Sequence, residues 1–185
     1  IKVACQSCHI PTYAKGNATK MYWDWSTAGK LKDGEPYVEE DSMGNHSYMS
    51  IKGSFVWEKN VVPDYIWFNG TASHYIEGDI ISDTTKPLVL NQLHGSYADE
   101  DSKIYPVKIH VAKQPYDPVN RILIQPKLFA EEKGEGAFWK DFNWQTASEV
   151  GMKEADLPFS GKISFINTEM YWPVNHMVAS KENTL

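Results

Sequence analysis

Residues 5–9 read Cys5-Gln6-Ser7-Cys8-His9 and contain both cysteines of the 185-residue chain. Two thiols three positions apart on one turn can reach the two vinyl groups of a porphyrin as thioethers, and the adjacent histidine then lies beneath the iron. This C-x-x-C-H spacing is typical of c-type haem attachment. The motif therefore predicts haem c as the cofactor, held by Cys5 and Cys8, with His9 as the proximal iron ligand.

Two other kinds of site use closely spaced cysteines. A thioredoxin-like dithiol is followed by a long helix, which Pro11 and the Gly16-Asn17 turn disfavour here. A zinc site needs further ligands, and without a second cysteine pair it would have to recruit distant histidines. The trailing histidine and the lack of other cysteines both favour haem.

The composition excludes several classes of protein. Hydrophobic residues make up 42% of the chain and the formal net charge is −6, which disfavours a disordered chain and a nucleic-acid-binding surface. No apolar run has the length of a membrane span. The chain begins at Ile1 and the motif follows at once, so we expect a mature or excised segment with its targeting sequence upstream. Because c-type haem is attached outside the cytoplasm, the expected location is periplasmic or extracellular.

We expect one haem-binding unit over residues 1–185, of mixed α+β class with much irregular structure. Residues 1–30 carry the haem motif, and residues 19–26 are predicted to form a helical turn or an irregular wrap. Residues 31–128 are dense in turn-forming pairs, which predicts short strands joined by long loops. The predicted strands are 53–57, 64–68, 74–81, 87–90, 104–111 and 122–124.

Residues 129–185 are predicted to be mainly helical. Apolar residues at helical spacing from Phe138 to Val150 predict one helix, which Gly151 would end or kink. A second helix is predicted over residues 168–181, interrupted at Pro173. The predicted order of elements therefore has short strands in the middle of the chain and helices toward the C-terminus.

The second iron ligand decides what a haem can do. Two imidazoles give a closed iron suited to electron transfer, methionine opposite histidine raises the reduction potential, and an open position admits a substrate. His110 ends an alternating apolar run, and His176 lies among aromatic and apolar residues beside Pro173. Both are candidate ligands, and a buried histidine that is hydrogen-bonded in the core is the competing interpretation for each.

The other possible ligands and modification sites carry less weight. We expect His46 to face solvent, and His74 and His94 to be partly exposed. The methionines that could bind iron, although methionine more often fills a core, are Met21, Met170 and Met177. Three glycosylation-like triplets, interpreted as chance matches, begin at Asn17, Asn45 and Asn69.

The haem motif lies within a longer string, and similar strings follow throughout the chain. They are residues 3–11 (VACQSCHIP), 18–30 (ATKMYWDWSTAGK), 52–58 (KGSFVWE), 67–70 (WFNG), 113–118 (KQPYDP), 151–155 (GMKEA) and 169–177 (EMYWPVNHM). Together they resemble an internal-to-C-terminal segment of the octahaem tetrathionate-reductase-like multihaem c-type cytochromes. The resemblance covers nearly the whole chain.

This resemblance implies a periplasmic array of close-packed haems, most of them with two histidine ligands. In the family, one haem with a lysine ligand forms the active site that reduces sulfur or nitrogen oxyanions. The present chain has a single haem motif, so we expect it to lack the upstream haems and the last one. The lysine-ligated haem is expected in the missing N-terminal part. No lysine of this chain is therefore assigned as its ligand, and enzymatic activity stays open.

The expected function is electron transfer within a multihaem oxidoreductase. We expect a six-coordinate, low-spin haem on Cys5 and Cys8, with His110 opposite His9. His176 is assigned to a neighbouring haem, although the two assignments could be exchanged. The alternatives are a complete monohaem enzyme with an open iron site, and a piece of a multi-chain or filamentous cytochrome conduit without a catalytic site. The expected partners are other haem-bearing segments or chains and redox proteins, with no nucleic acid and no membrane span.

Overall fold

The computed structural model describes residues 1–176 and 178–184. Helices are few and short in this part of the chain. They are α1 (Cys5–His9), α2 (Phe138–Asp141) and α3 (Trp144–Glu154), with single 3-10 turns at Trp25–Thr27 and Lys181–Asn183. Among the described residues, no helix is both long enough and apolar enough to cross a membrane.

Strands dominate the structure. They are β1 (Thr19–Asp24), β2 (Leu31–Lys32), β3 (Glu35–Pro36), β4 (Val38–Glu40), β5 (His46–Met49), β6 (Gly53–Glu58), β7 (Asp64–Phe68), β8 (Ala72–His74), β9 (Leu88–Leu93), β10 (Lys103–Asp117), β11 (Ile122–Leu123) and β12 (Ser164–Pro173). All except β2 and β3, which pair with each other, belong to one mixed sheet.

Strand β10 is the centre of that sheet. The strand order is β4-β5-β6-β1-β10-β12-β9-β8, and β7 and β11 also pair with β10. Strand β1 runs parallel to β10 on one side, and β12 runs antiparallel to it on the other side. Val107, Ile109 and Val111 alternate with other residues in the middle of β10, which favours an extended chain. The strand therefore joins segments from near both ends of the sequence.

Most of the predicted strands in the middle of the chain are confirmed. Strands 53–57, 64–68, 104–111 and 122–124 correspond to β6, β7, β10 and β11, and 87–90 overlaps β9. The predicted strand 74–81 is wrong, because β8 ends at His74. The chain then turns: the Asp79 amide donates to the Ile76 carbonyl at 2.9 Å, and the Asp79 carboxylate accepts from the Ile76 amide at 2.8 Å. Gly78 supports this turn with a φ of +87°.

Two predictions of helical structure are wrong. Residues 19–24 form β1 rather than a helical turn, which is confined to Trp25–Thr27. Residues 164–173 form β12, so the helix predicted over 168–181 is absent from the described residues of that range. In both places the segment pairs with a strand on each side: β1 pairs with β10 and β6, and β12 pairs with β10 and β9. These backbone hydrogen bonds outweigh the weak local helix propensity.

Gly151 neither ends nor kinks its helix, since α3 continues to Glu154. A Cβ at this position would overlap the Gln125 carbonyl oxygen and the Lys127 amide nitrogen. The glycine therefore allows the backbone of α3 to lie directly against residues 125–127. The Lys127 amide donates to the Ala147 carbonyl at 2.9 Å, which fixes this approach.

A small buried cluster connects the segment after α1 to the end of β12. It contains Ile10, Tyr13, Ala14 and Val174, with Met21 and Val61 packed against it. Ile10 is fully buried, and the Tyr13 hydroxyl donates to the Met21 sulfur at 3.6 Å. Met21 therefore fills a core, as the more common role of methionine predicts.

Candidate haem site

The Cys5–His9 segment forms a single helical turn that is tied to the start of β10. The Ser7 hydroxyl donates to the Ile104 carbonyl at 2.8 Å, and the Ala4 amide donates to the same carbonyl at 3.0 Å. The Ile104 amide in turn donates to the Lys2 carbonyl at 2.8 Å. These contacts hold α1 by its backbone and by the buried serine between the two cysteines.

The opposite side of α1 carries its reactive groups. Cys5 and Cys8 are free and exposed, and His9 is exposed as well, whereas Ser7 and Ile10 are buried. Positions i, i+3 and i+4 share one face of a helix, so the two thiols and the imidazole face solvent together. This donor set fits haem c, because the thiols can form the thioethers and the imidazole can bind the iron.

The chain returns to α1 from distant parts of the sequence. The Ala179 amide donates to the His9 carbonyl at 2.9 Å, which brings the C-terminal segment beside the motif. Tyr13 and Val61 form an isolated antiparallel bridge just after α1. The position of the motif is therefore set by tertiary contacts on several sides.

A cavity of about 500 Å³ lies beside the segment that follows α1. Its walls come from the loop before β1, from β10 and from the end of β12; they include Tyr13, Asn17, Lys108, Trp172, Val174 and His176. Trp172 is 52% exposed. The cavity thus combines a flat aromatic surface with one lysine and one imidazole.

His176 lies at this cavity and is exposed, which corrects the expectation of a buried, helix-flanking position. Its Nδ1 lies 3.2 Å from the Asn175 Oδ1. The neighbouring Met177, considered above as an iron ligand, lies outside the described residues. The assignment of His176 to a neighbouring haem stays a prediction.

His110 lies in the middle of β10, opposite Met170 of β12. Its Nε2 is buried and has no hydrogen-bond partner among the described residues. Burial of the imidazole lowers the pKa of His110 to about 4, and the charges of Lys108 and Lys20 add to this effect. The imidazole is therefore neutral at pH 7, the form in which a histidine binds a metal. Its role as the ligand opposite His9 stays a prediction.

Two of the other histidines have their expected exposure, since His46 is exposed and His94 is partly exposed. His74 was expected to be partly exposed but is exposed. His46 lies 4.0 Å from the Glu40 carboxylate, a contact between two exposed side chains. None of the three lines the cavity beside α1.

Two lysines near His110 were missed by the sequence analysis. Lys108 and His110 are two positions apart in β10, so their side chains lie on the same face of the strand. Burial lowers the pKa of Lys108. Burial also lowers the pKa of Lys20, with contributions from the charges of Lys52 and Lys108. The two-residue spacing of Lys108 and His110 on a predicted strand could have indicated that Lys108 lies beside His110. The position of Lys20 could not be predicted in this way, because it depends on the pairing of β1.

Comparisons with known proteins identify the family of the chain. The model of the family described as "Cytochrome c bacterial" matches residues 20–185. The chain is similar to an octahaem cytochrome c from Shewanella oneidensis, known from a crystal structure, with 44% identity and a TM-score of 0.89. This match covers 100% of the present chain and 42% of the Shewanella chain. No curated protein matches the chain. The chain belongs to the bacterial cytochrome c family, and its cofactor is covalently bound haem c.

Proposed function

We propose that this chain is an electron-carrying segment of a multihaem c-type cytochrome. The observation that supports the proposal is the exposed face of α1, which presents Cys5, Cys8 and His9 together on a helix held at Ser7. We assign the haem thioethers to the two cysteines and the proximal iron ligand to His9. When bound, the haem supplies an iron centre that accepts and releases one electron.

The residues around α1 limit movement of this haem. The serine and backbone contacts to Ile104 fix one side of the turn, and Ile10 packs in the core below it. We assign His110 as the second axial ligand of this haem. Two imidazoles bind both oxidation states of iron similarly, so little rearrangement accompanies electron transfer.

The multihaem part of the proposal is supported by the similarity to an octahaem cytochrome c, of which the chain spans 42%. His176 lies outside the haem motif, is exposed and lines a cavity, which suits a ligand to a haem carried by another segment. We infer that the whole assembly is an oxidoreductase that reduces sulfur or nitrogen oxyanions in the periplasm or outside the cell. Its partners are other haem-bearing segments and redox proteins.

A second candidate function is a multi-chain or filamentous conduit without a catalytic site of its own. The exposure of Trp172 and His176 at one cavity favours contact with a haem from outside this chain. Both candidates need that contact. They differ in whether the purified assembly reduces an oxyanion when it is supplied with an electron donor.

Covalent haem attachment tests the proposal directly. After acid–acetone extraction of the haem-loaded protein, we expect the colour to stay with the chain, because thioethers resist this treatment. The variants Cys5→Ala and Cys8→Ala should weaken or abolish haem staining on a denaturing gel, whereas Gln6→Ala in the same turn should retain it. Colourless protein after extraction of the unchanged chain would contradict the proposal.

A further inference from the structure

Lys108 is a half-buried cation in the wall of the cavity that also contains His176. Its ammonium donates to the Thr19 hydroxyl at 2.6 Å. Within residues 1–176 and 178–184, no carboxylate lies within 4.0 Å of this ammonium, since the ion pairs there involve Glu40, Asp83 and Glu154 with other partners. A desolvated charge without a counter-ion is unfavourable. The described lining of the cavity therefore contains one lysine and no carboxylate, although the chain carries a net charge of −6.

Lys20 is a second cation on β1, the strand that pairs with β10 beside Lys108. Its ammonium lies 4.2 Å from the ring centre of Trp23, 4.0 Å from that of Phe55 and 5.1 Å from that of Trp57. Cation–π contacts of this kind hold the ammonium in place without neutralising it. In the described part of the chain, Lys20 also has no carboxylate within 4.0 Å.

The walls of the cavity indicate what kind of anion fits. Trp172 and Val174 provide apolar surface, and His176 provides a potential metal ligand. A small inorganic anion would use the lysine but not the apolar surface. A flat, largely apolar molecule with an anionic edge would use both, and haem has this chemistry because its porphyrin carries two propionate carboxylates.

We propose that Lys108 binds a propionate carboxylate of the haem that enters the cavity at His176. This inference rests on the proposed function, since it requires a haem bound to His176. Lys108 is then a positioning residue, because it orients the haem edge through an ion pair and through the Thr19 hydroxyl. A positive charge near a haem favours the reduced iron, so Lys108 also raises the reduction potential of that haem.

Redox titration of the complete, haem-loaded protein tests this role. In Lys108→Met we expect one component of the titration to shift to lower potential. Lys108→Arg should retain the potential of the unchanged protein, because the positive charge is kept. Lys113→Met is the matched control, since it removes a lysine from the opposite face of the same strand. Resonance Raman spectra should show an altered propionate bending band in Lys108→Met alone.

Several outcomes would overturn the role of Lys108. The first is a Lys108→Met variant whose reduction potentials equal those of the unchanged protein. The second is a Lys113→Met variant whose potential shifts as much as that of Lys108→Met. The third is a potential of the unchanged protein that changes with added sulfate and reaches a plateau. The last result would assign the lysine to a free anion. Lys108→Gln provides a second neutral variant should the methionine variant fail to fold. A pyridine haemochrome assay, which counts the haems, separates failure of the proposed function from failure of the ion pair. Absence of covalent haem from the unchanged protein would contradict the proposed function. Full haem content together with an unchanged titration in Lys108→Met would contradict only the ion pair.

Discussion

Ser7 lies between the two cysteines and has a structural role that the haem motif does not reveal. It is 6% exposed, and its hydroxyl donates to the Ile104 carbonyl, which also accepts from the Ala4 amide. The thiols flanking it point away from the protein and are available for chemistry. One residue of the motif thus attaches the turn to the sheet, while Cys5 and Cys8, the proposed sites of the haem thioethers, stay exposed.

Replacement of Ser7 by alanine should therefore destabilise the haem-loaded protein. The variant loses one partly buried hydrogen bond, and we expect unfolding to become easier by about 1–2 kcal/mol, with haem still covalently attached. Denaturant unfolding followed by tryptophan fluorescence measures this change. Gln6→Ala, in the same turn but with no hydrogen bond to the Ile104 carbonyl, should change stability by less than half as much. Equal losses in the two variants would argue against the anchoring role.

At the scale of elements, the end of β10 is joined to the segment before β12 by a buried carboxylate. Asp117 is fully buried and accepts hydrogen bonds from the Val119 and Asn120 amides and from both the amide and the hydroxyl of Ser160. Burial alone would raise the pKa of Asp117, but the hydrogen bonds from Asn120, Ser160 and Val119 outweigh it and lower the pKa below its usual value. The charged form is therefore favoured in the folded protein.

The stability of this connection should depend on pH in a defined direction. Because the pKa of Asp117 is lowered by folding, its contribution is present above the pKa of the unfolded chain, near 4, and decreases as the pH falls below it. At pH 7 we expect Asp117→Asn to lose about 2–3 kcal/mol. The difference between the two proteins should narrow on acidification to pH 3. Asp156→Asn, an exposed control, should show no such pattern.

Helix α3 depends on a close backbone contact at Gly151. We expect Gly151→Ala to destabilise the protein by about 2–4 kcal/mol, because the added methyl group overlaps backbone atoms of residues 125–127 and forces the helix outward. Alanine favours helices over glycine, so local propensity alone predicts the opposite sign. Thermal unfolding measures the effect, and Lys153→Ala on the exposed side of α3 is the control. A stabilised Gly151→Ala variant would show that the helix can move at little cost.

At the scale of the whole molecule, the sheet brings the candidate iron ligands into one framework. His110 lies on the central strand, and His176 follows the strand beside it. The same arrangement places the C-terminal segment against α1 through the Ala179 amide. Haem attachment and both candidate ligands therefore depend on a single set of strand pairings.

The assignment of these two histidines to different haems can be tested by counting. In the complete, haem-loaded protein, we expect His110→Ala and His176→Ala each to convert one low-spin haem to high spin. The double variant should convert two, because the ligands serve different irons. Electron paramagnetic resonance measures the number. A single converted haem in the double variant would place both residues at one iron, and conversion by the control His94→Ala would show a general loss of structure.

The features that the sequence predicts correctly depend on residues close together in the chain. The spacing of Cys5, Cys8 and His9 predicts haem c because attachment needs only neighbouring residues, and the family match confirms this cofactor. Most strands between residues 53 and 124 were predicted because turn residues and apolar runs act locally. Tertiary structure alone decided that residues 19–24 and 164–173 become strands, since the edges of β10 offer them hydrogen bonds that outweigh local propensity. It also decided that Lys108 and His176, distant in sequence, line one cavity.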